Sequence, residues 1–91
     1  AGIESLARNL ALQLAPDGVS VNCVAPGFTR KDPTGHAALT GEFWDRAAAA
    51  NPMGRIALPS DTAATVNFLL SREAQYITGQ VIHVDGGLTL L

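Results

Sequence analysis

The run Val19-Ser20-Val21-Asn22-Cys23-Val24-Ala25 is apolar and rich in β-branched residues, and it stops abruptly at Pro26-Gly27. That stop constrains the fold more than any other feature. The run predicts a buried parallel strand over about residues 19–25. Proline brings no N–H to a ladder and glycine admits dihedrals closed to other residues. The chain is therefore expected to leave its sheet at Pro26 and to expose main-chain groups at the carboxyl edge. In open α/β sheets, ligands bind along that edge. A second run, Gln80-Val81-Ile82-His83-Val84, stops at Asp85-Gly86-Gly87. A long segment of helical pattern separates the two, which predicts parallel strands joined by a right-handed crossover.

The helical segments follow from periodicity. Ile3, Leu6, Leu10 and Leu14, with Ala7 and Ala11 beside them, predict a helix that buries this stripe and ends at Pro16-Asp17-Gly18. No capping residue precedes Ile3-Glu4, so the helix is expected to extend further back than Ala1. Residues 28–40 read as a loop, with Thr40 capping a helix to about Ala50 whose apolar side holds Phe43, Trp44, Ala47 and Ala48. Asn51-Pro52 ends it. A third helix is expected after Pro59, with Ser60 as its cap and Ala63, Val66, Leu69 and Leu70 as the buried stripe. A two-stranded sheet carrying so little else is marginal alone, which predicts fast amide exchange or self-association.

Composition removes several classes of function. The net charge is -2 with no basic run, which argues against nucleic acid. No apolar segment approaches the roughly 18 residues of a bilayer span, and no basic-then-apolar leader opens the chain, so a cytoplasmic protein without membrane attachment is expected. Cys23 is the one cysteine and has no neighbouring ligand cluster; it reads as a small buried hydrophobe rather than part of a metal site. His83 alternates with Ile82 and Val84 and reads as an ordinary sheet histidine.

In this order and spacing, Val21-Asn22 with Pro26-Gly27, Arg55 before Pro59-Ser60-Asp61-Thr62-Ala63, Ile77-Thr78-Gly79-Gln80 and Val84-Asp85-Gly86-Gly87 resemble the carboxyl-terminal third of a classical short-chain dehydrogenase/reductase. The resemblance covers essentially residues 1–91. It implies an α/β fold class: the carboxyl-terminal portion of one doubly wound, NAD(P)-binding Rossmann domain, with a substrate lid at about residues 28–50. It also implies hydride transfer between nicotinamide and a small carbonyl or alcohol substrate, with 3-oxoacyl-thioester reductases as one branch. A homo-oligomer, dimer or tetramer, is expected, built partly on the apolar helix stripes.

In such enzymes the peptide groups after Pro-Gly hold the nicotinamide carboxamide. Those positions are Pro26, Gly27, Phe28 and Thr29 here, and the cofactor expected is NAD or NADP. Lys31 stands where many relatives have a threonine. It reads as a solvated lysine or as a contact to a phosphate or acidic substrate group, with Thr29 or Thr34 able to supply the hydroxyl. The catalytic Tyr-x-x-x-Lys motif does not occur in these residues, and Tyr76 does not stand in its place, so no catalytic residue is assigned and the chain by itself is expected to be inactive. A non-catalytic folding or oligomerisation piece is the alternative reading. Asn22, Arg55 and Asp85 are expected to be structural, with Asn22 needing partners and Asp85 accepting N–H bonds in its turn.

Overall fold

Helix, strand, helix, helix and strand follow one another in the computed structural model, which describes residues 2–30 and 41–91. The first helix, α1, spans Gly2–Leu14 and passes into a 3-10 turn at Ala15–Asp17. Pro16 cannot continue the ladder, and Gly18 takes φ 75°, the left-handed conformation that closes a helix end. The buried face differs from the expected leucine stripe. Ala7 and Ala11 are buried, whereas Ile3 and Leu6 are 76% and 57% exposed. The reason is close approach: a Cβ placed on Gly79 would lie 3.6 Å from that of Ala11, so α1 turns its small side chains to the body.

Two strands, β1 (Cys23–Pro26) and β2 (Val81–Val84), form a parallel pair with Cys23 opposite Val81 and Pro26 opposite Val84. Both expected strands are shorter than their apolar runs. Residues before Cys23 are tied down by side chains instead: the Val21 N–H donates to Thr78 Oγ1 at 3.0 Å, and Asn22 Nδ2 donates to Ile77 O at 3.1 Å. Pro26 stays inside the ladder, so the exit comes one residue later than expected. The N–H groups of Cys23 and Gly27 donate to Gln80 O and Val84 O, which turns the nitrogen of Pro26 away from β2 and costs the pair no bond. The strands are half-buried rather than buried, Cys23 included, because two strands alone offer little cover.

Helix α2 spans Gly41–Ala50 and buries Trp44. Helix α3 spans Pro59–Leu69 and packs against both strands. Its cap is Leu58, not the expected Ser60. Pro59 is pre-set for the first turn, and the Asp61 carboxylate reaches back to accept the Leu58 N–H at 2.8 Å. Its half-buried side is Thr62, Thr65 and Leu69, while Ala63, Val66 and Leu70 are exposed, so the expected stripe is rotated outward. The expected Thr40 cap and the readings of Lys31 and Thr34 fall outside the described residues, as does the middle of the expected lid.

Candidate functional site

The two strand exits meet. Gly27 donates its N–H to Val84 O at 3.0 Å, and a Cβ on Gly27 would stand 2.7 Å from Asp85 Cβ and 2.8 Å from Asp85 Cα. No side chain fits there, so Gly27 is required for space and not for its dihedral angle. Beyond it the chain makes one further parallel bridge, Thr29 with Ala57. Ala57 donates to Phe28 O at 3.3 Å and accepts the Arg30 N–H at 3.1 Å. In parallel bridging this pattern leaves the flanked residue's own N–H and C=O on the opposite side. Thr29 therefore presents a peptide donor and a peptide acceptor away from Ala57, and its hydroxyl folds back to donate to Gly27 O at 2.9 Å.

Asp85 closes the neighbouring turn. It is buried, and its carboxylate accepts the Gly87 N–H at 3.0 Å and the Thr89 N–H at 3.2 Å, as expected for an aspartate before two glycines. The Thr89 hydroxyl, then the Gly87 N–H, hold its carboxyl below the ordinary carboxylate range, with His83 adding a smaller pull. Asp85 thus braces its turn through these hydrogen bonds. His83 itself is exposed.

Arg55 and Asp61 form a two-pronged ion pair at 2.9 and 3.0 Å. The Arg55 hydrogen bonds, followed by the Leu58 N–H, lower the Asp61 carboxyl to about 2. The pair joins the segment before α3 to its first turn. Asn22 also has its structural partners, since its Oδ1 accepts the Gln80 N–H at 3.0 Å.

The four expected cofactor-wall residues, Pro26, Gly27, Phe28 and Thr29, form one continuous strip at the strand exits. Phe28 leans on Trp44 at 5.3 Å and Phe43 at 5.7 Å between ring centroids, which attaches α2 to that strip. Phe28, Asn51, Met53, His83, Asp85 and Gly86 line a cavity of about 410 Å³. Two contributors are not assigned to the site by the sequence reading, although Asn51 is read there as a helix end. Ala57 acts through its backbone and leaves no signal in residue type. Asn51 had one: an Asn before Pro with a side chain able to bond the backbone two residues on, as its Oδ1 does with the Met53 N–H at 2.9 Å.

Among the described residues no cluster of His, Cys, Asp or Glu is arranged to hold a metal ion, and no helix is long and apolar enough to cross a membrane.

Known proteins supply a framework for this geometry. Residues 1–89 match the family described as Enoyl-(Acyl carrier protein) reductase. The 3-oxoacyl-[acyl-carrier-protein] reductase FabG of Aquifex aeolicus is 46% identical over 88 residues, covering 97% of this chain and 35% of that protein. FabG of Rickettsia bellii is 38% identical over 91 residues, covering all of this chain and 37% of the relative. Among solved structures, YwfH, described as an NADPH dependent reductase involved in bacilysin biosynthesis, superposes with a TM-score of 0.82 at 36% identity, covering 96% of this chain and 36% of YwfH. The chain spans about a third of the length of the relatives it matches. With a parallel Rossmann-like pair, its strand exits pressed together and a family match along nearly its whole length, the chain belongs to the short-chain dehydrogenase/reductase family.

Proposed function

We propose that these residues form one wall of the nicotinamide site in an NAD(P)-dependent reductase acting on a carbonyl or alcohol substrate, with 3-oxoacyl thioesters as the substrate class. The observation that carries this reading is the Thr29 peptide, whose N–H and C=O point together away from Ala57. A donor beside an acceptor matches the two ends of a carboxamide. Gly27 supports the fit by letting Asp85 pack directly on the strand exit, which holds the strip in place. Bound nicotinamide would supply or accept the hydride. Pro26, Gly27, Phe28 and Thr29 would orient it, and Phe28 with Phe43 would help keep water from that face. The similarity to FabG enzymes and YwfH supports the same substrate and cofactor classes. A homo-oligomeric enzyme fits the exposed Ile3, Leu6 and Leu12 on α1.

Those exposed side chains favour a second reading for residues 1–91 in isolation, a folding or assembly element without turnover. The cofactor reading is tested at Thr29. In the natural polypeptide containing these residues, Thr29→Pro removes the outward N–H and is expected to weaken NADPH binding by about tenfold or more in a fluorescence titration, while Thr29→Ala stays within about twofold. Equal losses in both variants, or wild-type protein that binds neither NADH nor NADPH, would overturn the cofactor reading.

A further inference from the structure

We propose that Asn51 is a positioning residue that fixes α2 against the strand exits and thereby sets the affinity for a carbonyl substrate; the second half of this statement rests on the function proposed above. Asn51 directly follows α2, and its N–H still donates to Ala48 O at 3.1 Å, so its backbone belongs to the helix end. Its side chain does not. Nδ2 donates to Asp85 O at 2.9 Å while Oδ1 accepts the Met53 N–H at 2.9 Å, so both ends of one amide are engaged.

The partner turn is shaped around that amide. A Cβ on Gly86 would fall onto Asn51 Oδ1, with Cγ and Nδ2 both 3.1 Å away, and Gly86 sits at φ 65°. Asp85, the residue Asn51 grips, is itself pressed against Gly27. Near the other end of α2, Trp44 is buried and stands 5.3 Å from Phe28. The helix is thus attached twice, to Phe28 next to Thr29 and to Asp85 beside Gly27. Only an amide of this length makes both Asn51 bonds. Alanine makes neither, and aspartate keeps the acceptor for Met53 but sets a carboxylate against the Asp85 carbonyl oxygen.

The test uses the natural polypeptide. Hydrogen exchange is compared in wild type, Asn51→Ala and Asn51→Asp, with the amides of Cys23 and Ile82 reporting that the sheet is intact. Amides in the last turn of α2 are expected to exchange about tenfold faster in both variants, with the sheet amides unchanged. KM for a 3-oxoacyl thioester such as acetoacetyl-CoA is expected to rise by about fivefold or more, while the Kd for NADPH stays within about twofold. Unchanged exchange in α2 would sink the anchoring role. A Kd that rises in step with KM would assign Asn51 to the cofactor wall in general and overturn the positioning role. Should Asn51→Ala fail to fold, Gly86→Ala crowds the amide without deleting it and is expected to show the same exchange pattern. Absence of NADPH binding in the wild type defeats the proposed function alone, because the exchange comparison still decides whether Asn51 anchors α2.

Discussion

The strand exits and the outward helix faces follow opposite rules of construction. At the exits Gly27 stands against Asp85 and Asp85 holds Gly87 and Thr89, and at the strand entries Asn22 reaches across to Ile77 and Gln80, each contact specified atom by atom. On the helices, large apolar side chains such as Leu6, Leu12 and Leu70 meet solvent, and burial is confined to small groups and one tryptophan. Within these residues, main-chain and side-chain hydrogen bonds hold the strand ends, while the apolar helix faces lie open. Area-based stabilisation of roughly 25 cal/mol per Å² needs area, and these faces supply little of it.

The sharpest way to break this contrast is Gly27→Ala. A Cβ there has no room without moving Asp85 backbone, so we expect a loss of about 3 kcal/mol, read as a lower urea midpoint. A loss under about 1 kcal/mol would mean the exits yield as easily as the helix faces. Next in size is Asn22→Ala, which removes a donor to Ile77 O and an acceptor for the Gln80 N–H. It is expected to cost about 2 kcal/mol by the same measurement.

Acid provides a third probe. The folded Asp61 carboxyl is lowered to about 2 by Arg55 and the Leu58 N–H. A depressed carboxylate contributes stability that is present above its unfolded value, near 3.8, and is lost as pH falls through its folded value. Urea midpoints should therefore decline from pH 4 toward pH 2, and Asp61→Asn should flatten the part of that decline due to this group; an unchanged slope would remove Asp61 from the account. The smallest effect belongs to the helix faces. Leu6→Gln is expected to shift stability by no more than about 0.5 kcal/mol in the monomer, and a larger loss would show that the face is covered in solution.

Legibility in the sequence divides along the same line. The element order, the parallel pairing, the stops at Pro16–Gly18 and Pro26–Gly27, and the Asp85 turn were all readable, because each depends on a residue type with a strong local preference. The burial of α1 and α3 was not. Periodicity marks which residues share a face, but the face that turns inward was chosen by a tertiary contact, Ala11 against Gly79, which no local pattern encodes. The cap of α3 was displaced by two residues because Pro59 claimed the first turn and Asp61 reached back past Ser60. At the candidate site, the strip from Pro26 to Thr29 was picked out by its resemblance to a family motif, and its cofactor role is a proposal. The direction of the Thr29 peptide depends on Ala57, a pairing between backbones that any residue type would permit.

Gly27 and Asp85 also bear on how this protein can change over generations. A side chain at position 27 finds no room even if position 85 gives up its own Cβ, because the Asp85 Cα would still stand 2.8 Å away, and a glycine at 85 would abandon the carboxylate that holds Gly87 and Thr89. Each single step is harmful, and the second does not repair the first. The two positions are therefore coupled in space although a long stretch of chain separates them, so that a substitution at either one acts on the turn that holds the other.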